Sequence, residues 1–429
     1  MPEVDTKPSP DEDGLRLPSG VGARSWGLRA LLVGLAAIGP FSLNVFKPCL
    51  PWIKATFDAP ITTVQLALSL SILAAAIATA AAGPLADVVG RRPVAIACVH
   101  VYVIACLVGT VAPSVEVVIG ARIVQAAASS VAMTVARALV HDGRTHVRRT
   151  IARITILAVV AVLLAPALGG VIIDRLGWRA VFGLTAALGL LLVWPVHRTL
   201  PRTRRDPEAP PSTDASARDA SARAPSTWSQ RLLRLLTSPV FAGYAIQSSL
   251  HFAVFFAFTS AATYLMVDAM GRDSTEYGLW FLFLALWVMG GLACAERLAG
   301  RLPSGRVAWM GSVLVLVGCA ISAWLLASEA PLTPVRLFLP GIVSGFGVGL
   351  ALPSTNAGVM EVVPELAGTA SGLLGFLQFA TAAAFAQAVV QDEPHTATVL
   401  AGLVLVGGVG SVAFGLLSIR HGAPERPST

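Results

Sequence analysis

Long apolar runs alternate with short polar breaks along most of this chain, and nearly every charge falls in the breaks. A helix needs roughly 20 apolar residues to cross the hydrocarbon of a bilayer. Runs of that length lie near 27–46, 61–82, 94–113, 115–139, 150–173 and 178–196. After a polar stretch, six more lie near 239–267, 275–296, 306–327, 335–355, 367–390 and 396–417. In lipid the backbone must satisfy its own hydrogen bonds, which leaves helices or closed barrels. The runs are too long and too evenly apolar for barrel strands, whose faces alternate. The pattern predicts an all-α polytopic membrane protein of twelve transmembrane helices in two six-helix bundles. Composition agrees: 55% of residues are hydrophobic and 13% charged, against about 25% charged in a soluble domain.

Basic residues orient the chain. With the N terminus in the cytoplasm, 24 of the 31 Lys and Arg fall on the inner side. Six fall at outer ends and loops (Lys47, Lys54, Arg175, Arg179, Arg272 and Arg336), and Arg122 lies within a span. That is the positive-inside bias, and it places both termini inside. The net charge of +7 then reflects topology and anionic lipid rather than a basic face for nucleic acid.

The polar segments divide the chain. Residues 1–26 are Pro-rich and lack a signal peptide's basic and apolar regions; they are expected to be a disordered cytoplasmic tail. The first bundle spans 27–196 and the second 239–417, with a short cytoplasmic tail at 418–429. Between the bundles, 197–238 is a cytoplasmic linker whose low-complexity part, 201–227, cannot bury enough to fold alone. Its end, Trp228–Leu236, has the pattern of an interfacial helix with Arg231 and Arg234 at the headgroups. The five cysteines form no CxxC pair and read as small apolar residues. No residue cluster has metal-ligand spacing, no glycine-rich nucleotide loop is visible, and no cofactor is expected.

Gly83–Arg92 reads GPLADVVGRR, in the short loop after the second span. Glycines there allow a tight turn, and Asp87 is placed to cap a helix or pair with Arg91 or Arg92. The stretch resembles the signature loop of the major facilitator superfamily, G-x-L-A-D-x-x-G-R-R/K, which in that family helps hold and switch one closed state. Further segments resemble the Bcr/CflA drug-efflux branch. ARIVQAAA (121–128) and VARALVHD (135–142) are similar to its fourth span, Arg122 matching a buried arginine assigned to proton coupling or helix pairing. Gln125 lies at i+3 on the same face; His141 replaces the branch's usual Arg, and Asp142 is kept. APALGG (165–170) followed by LGWRAVFG resembles the antiporter motif of the fifth span. Pro166 bends that helix, and Gly169 and Gly170 permit close packing. Glu296 and Arg297 resemble a degenerate second copy of the signature loop, and PELAGTASGLLGFLQ (364–378) resembles the start of the branch's eleventh span. The resemblance covers about 27–417 and implies alternating access by two bundles around a midplane cavity, with proton-coupled export of small amphipathic compounds, and a monomer in the bacterial inner membrane.

The chain departs from the branch at Ser42–Pro51, SLNVFKPCLP. Asn44 stands where the branch has an aspartate, and an amide can neither carry a proton nor attract a cation. Lys47 adds a positive charge. Two readings stay open for it: snorkelling to the interface, or attracting an anion into the cavity. Arg122 is either a structural partner of a carbonyl or a cavity cation. These residues motivate an alternative, a specific organic-anion transporter. Gln247 and His251 lie one turn apart in the seventh span; two readings stay open for His251, an imidazole suited to proton exchange or a satisfied structural histidine. Phe255, Asn356 and Gln378 complete the substrate-binding candidates, with Arg122 and His251 as coupling candidates. Asp87, Arg91, Arg92, Asp142, Pro166, Gly169, Gly170, Glu296 and Arg297 are assigned to gating. A transporter-like sensor with little flux is the second alternative. No covalent chemistry is required, so the chain does not read as an enzyme.

Overall fold

The computed structural model describes residues 21–142, 147–200, 233, 235–328, 330–362 and 366–421. Helix α1 (Val21–Phe46) begins inside the stretch read as a tail, because the helix continues past its apolar segment through Arg24 and Arg29. Beyond Phe46 the chain does not leave the bundle. A 3-10 turn (Lys47–Cys49) and a short helix α2 (Leu50–Phe57) follow, each starting on a proline at its first positions. Proline has no N–H to lose there and its fixed φ suits a helix start.

The first half continues with α3 (Ile61–Val89), α4 (Arg91–Thr110), α5 (Val115–Asp142), α6 (Val147–Leu176) and α7 (Trp178–Thr199). Gly90 separates α3 from α4 at φ 98°, a left-handed conformation that glycine adopts without strain. The second half holds α8 (Pro239–Tyr264) with a π-helical turn (Leu265–Ala269), α9 (Ser274–Leu298), α10 (Ser304–Ala327), α11 (Pro334–Val362), α12 (Ala367–Ala388), a 3-10 turn (Glu393–His395) and α13 (Thr396–His421). Several helices outrun the expected spans by a turn, since hydropathy marks only the hydrocarbon-facing part. Eleven helical segments among the described residues are long and apolar enough to cross a membrane, and α6 is not one of the eleven.

Of the expected interfacial helix, only Leu233, Leu235 and Leu236 are described, and all three are helical. Leu235 does not face lipid; it is buried in a cluster with Phe241 and Tyr244. His141, Asp142 and Asp87 sit in helices, but their side chains lie outside the described residues. Glu296 and Arg297 were expected in a loop and instead occupy the last turn of α9, both exposed.

The halves meet along two helix pairs, α6 against α9 and α3 against α12. The main core cluster crosses the seam, joining Val45, Leu50 and Val64 to Val254, Ala261 and Tyr277. Helix α8 is apolar on nearly all faces and buried along most of its length, as a helix enclosed by others must be.

Candidate functional site

The APALGG segment forms part of the seam. A Cβ on Gly170 would lie 2.2 Å from the Ser274 carbonyl oxygen, and one on Gly169 2.4 Å from that of Val45. Across the seam, a Cβ on Gly278 would meet Ala167 Cα at 2.5 Å. Backbones this close exclude any side chain. Pro166 is buried within α6.

Polar contacts close the same end. Trp52 Nε1 donates to Ser274 Oγ at 2.9 Å, and Asp174 accepts from the backbone amides of Ser274 and Thr275 at 3.2 and 2.8 Å. Gln65 Nε2 donates to Ser260 Oγ at 3.2 Å, Ser69 Oγ to Gln387 Oε1 at 2.7 Å, and Gln387 Nε2 to the Thr62 carbonyl at 2.9 Å. Lys54 bridges α2 to Asp268 at 3.2 Å and to Glu393. Apart from Lys54, placed at an outer end by its charge, none of these residues was singled out from sequence. The signal available was polar residues at i, i+4 inside an apolar run, as in Gln65 and Ser69.

Below this closed end lies a cavity of about 300 Å³ between the halves. The first half contributes Ser42, Asn44, Ser71, Arg122, Gln125 and Ser129; the second contributes His251, Phe252, Phe255, Phe256, Val288, Leu352 and Phe379. The polar lining groups, His251 aside, therefore sit on the first half's side, among Leu43, Ile72, Ala126, Met133 and Val162, while the second half's side is apolar and rich in phenylalanine. No lining residue is acidic.

Arg122 is 2% exposed. Its Nη1 donates to Gln125 Oε1 at 2.6 Å and to the Ser42 carbonyl at 3.4 Å, and its guanidinium lies 4.2 Å from the Phe46 ring centroid. Gln125 passes the chain on, its Nε2 donating to Cys106 Sγ at 3.0 Å and Thr185 Oγ1 at 3.3 Å. Arg122 Nε and Nη2 have no hydrogen-bond partner among the described residues, and neither have Asn44 Oδ1 or His251 Nδ1. Buried polar atoms are normally satisfied; these four have almost no accessible surface and lie just behind the cavity lining, so a ligand would reach them only with a small shift of that lining.

Of the sequence-based candidates, Asn44, Arg122, Gln125, His251 and Phe255 meet at the cavity. Gln247, Asn356 and Gln378 are not among its lining residues. Gln247 Nε2 donates to Ser312 Oγ at 2.8 Å, and His251 Nε2 shares that hydroxyl at 3.0 Å. Gln378 Nε2 contacts Ser248 Oγ at 2.7 Å and Asn356 Oδ1 at 3.5 Å. Lys47, fully buried, lies off the cavity too, behind Phe255 and Phe256. It neither snorkels nor lines the cavity in this conformation. At the other end of the molecule Arg92 Nη2 donates to the His197 carbonyl at 2.7 Å, while Glu296 and Glu361 border a separate recess with Arg301.

Residues 32–387 match the Major Facilitator Superfamily. The chain belongs to that family. Among curated superfamily relatives, the uncharacterized MFS-type transporter YdgK of Bacillus subtilis is 24% identical over 403 residues, covering 92% of this chain and 96% of its own. Multidrug resistance protein D of Escherichia coli is 26% identical over 366 residues, covering 83% and 86%. The solved D-xylose–proton symporter shares 12% identity at a TM-score of 0.71, covering 91% of this chain and 98% of its own, which fixes the fold alone. The superfamily fold and these relatives make the chain a multi-pass membrane transporter and not an enzyme.

Proposed function

We propose that this transporter is a monomeric, twelve-span secondary carrier of the bacterial inner membrane, with two six-helix bundles, both termini cytoplasmic, working by alternating access to export small amphipathic compounds with proton coupling. On this topology the closed end faces outward and the cavity opens to the cytoplasm. One observation carries the reading: a largely apolar cavity between the halves, closed over at one end, with phenylalanines on one side and a few polar groups on the other. Such a lining binds a compound by apolar contact and orients it with a few polar groups. The named activity of the Escherichia coli relative, multidrug resistance, supports the cargo class.

Within that class the cavity favours an anion, which develops the second reading, a carrier of specific organic anions. Arg122 holds two unpartnered N–H groups just behind the lining, and none of the described lining residues is acidic. Asn44, in place of a carboxylate, removes the group that would attract a cation. His251 carries the coupling proton in this scheme, its ring being at the cavity with one nitrogen unpartnered.

The test uses a matched series: naphthalene-2-sulfonate, naphthalene-2-carboxamide and a naphthyl trimethylammonium. The sulfonate is expected to raise the melting temperature of purified protein by mass action, and Arg122→Met to remove that response. In proteoliposomes a proton gradient should drive sulfonate flux, and His251→Gln should abolish the driving effect while sulfonate still binds. Stabilisation by the ammonium alone overturns the anion reading. Binding without any flux identifies a sensor instead.

A further inference from the structure

Lys47 and Lys54 lie two helical turns apart on the same seam and are held in opposite ways. Lys54 is partly exposed and paired with two carboxylates, Asp268 and Glu393. Lys47 is fully buried, and no ion pair is recorded for it among the described residues. Its ammonium crosses from the turn after α1 into the second half. There it donates to Thr259 Oγ1 at 3.0 Å and stands 4.6, 5.2 and 5.4 Å from the ring centroids of Phe256, Phe255 and Phe281. An ammonium has three N–H donors, and this cage offers one oxygen acceptor. Aromatic faces attract a cation, but a buried charge without an opposite charge is held weakly compared with one that has it.

Two further facts tie the cage to the cavity. Phe255 and Phe256 are shared: they hold Lys47 on one side and wall the cavity on the other. Asn44, three residues before Lys47, lines the cavity from the last turn of α1. Any movement that withdraws Lys47 from the second half brings its charge toward the first half's side of the cavity, where Asn44 and Arg122 lie.

We propose that Lys47 is a cargo-sensing gate residue with two alternating partners: the Phe255–Phe256–Phe281–Thr259 cage, which holds it while this end is closed, and the anionic group of the cargo, which draws it out. This rests on the anion reading of the cavity given above. The carboxylate-free cage makes the exchange favourable, because an anion is the better partner for an ammonium. After the cargo leaves, the cage is the remaining partner and the end closes again. A neutral or cationic compound of the same shape offers Lys47 nothing and leaves the end shut. Lys47 is thus a positioning residue that makes opening conditional on anion occupancy.

The test follows the closed end directly in full-length protein in nanodiscs. Spin labels go on Ala55→Cys of α2 and Arg272→Cys before α9, with Cys98 and Cys294 replaced by serine. Distances are measured with and without naphthalene-2-sulfonate, with naphthalene-2-carboxamide as control, and binding is followed by calorimetry on the same samples. In the otherwise unaltered protein the sulfonate should at least roughly triple the long-distance population, and the carboxamide should not. Lys47→Met fills the cage with a thioether that suits aromatic faces; at sulfonate concentrations that calorimetry shows to be saturating for it, it should show no lengthening. Lys47→Arg should keep the response. Phe281→Leu, which loosens the cage without touching the cavity lining, should raise the long-distance population before any probe is added. Equal lengthening in Lys47→Met, or sulfonate binding to the parent without lengthening, overturns the proposal while leaving the anion reading intact. Absence of sulfonate binding in the parent overturns both.

Discussion

Asp174 of α6 caps helix α9 from the opposite half of the protein. Its Oδ2 accepts from the Thr275 amide at 2.8 Å and the Thr275 hydroxyl at 2.6 Å, across 101 positions of sequence. Caps are usually local, supplied by the residue that starts the helix. Here the first residue before the helix, Asp273, makes no side-chain cap, and the carboxylate comes from across the seam, where it also meets the positive end of the α9 dipole. Asp174→Ala is expected to cost about 1 kcal/mol, roughly a fivefold shift away from the closed end. Faster hydrogen exchange at Thr275 would report it. Asp174→Asn keeps an acceptor and should cost less.

The glycine contacts at the seam make a sharper prediction. Gly170→Ala puts a methyl 2.2 Å from the Ser274 carbonyl, and Gly278→Ala puts one 2.5 Å from Ala167 Cα. In both cases the obstacle is backbone, which cannot swing aside. Either variant should separate α6 from α9 and expose the first turn of α9 to exchange. Gly183→Ala, where the added methyl meets nothing within 4 Å, should leave exchange unchanged.

Gln125 is the side-chain acceptor for Arg122, at 2.6 Å. Gln125→Leu removes a hydrogen bond to a charged group and should lower stability by about 1.5–3 kcal/mol. Gln125→Glu supplies a counter-charge at the same place. It should raise the melting temperature above that of Gln125→Leu and abolish sulfonate binding, because Arg122 then has an internal anion. Sulfonate affinity unchanged in Gln125→Glu would remove Arg122 from the binding site.

Ser312 joins two polar side chains that the spans would otherwise leave unsupported. Its hydroxyl lies 2.8 Å from Gln247 Nε2 and 3.0 Å from His251 Nε2. Ser312→Ala leaves Gln247 its contact with the Ala308 carbonyl at 3.1 Å but strips the remaining partner recorded for His251. A cost of about 1–3 kcal/mol is expected, read as a lower unfolding temperature in detergent. Replacing Ser312 by Thr, which keeps the hydroxyl, should recover part of it.

The legible parts of this chain are those where one segment decides the outcome. Apolar runs located the long helices because each run must satisfy its own backbone in lipid. The i, i+3 spacing of Arg122 and Gln125 put them on one face, and the structure joins them by a hydrogen bond. Gln247 and His251 were likewise read as neighbours, but Ser312, which links them, lies 61 residues beyond His251 and gave no sign. Lys47 shows the limit most clearly. Its cage sits 212 positions away at Thr259 and its neighbours, and nothing local distinguishes a caged lysine from one reaching for the headgroups. The polar seam stayed unread for a related reason: Trp52, Gln65, Asp174 and Gln387 each look ordinary until the partner half is in place.

That seam is assembled from separable pieces. Beside the apolar cluster that crosses it, it is held by single hydrogen bonds, a partly exposed lysine bridge and backbone contacts at glycine. A neutral hydrogen bond is worth about 1 kcal/mol net and an exposed ion pair up to about 1. A micromolar ligand releases about 8 kcal/mol on binding. Only the part of that energy by which cargo prefers the open state can work against the closure, and contacts of this size can be undone piece by piece within it. A single continuous apolar interface of the same extent would make a tighter plug and a far slower machine.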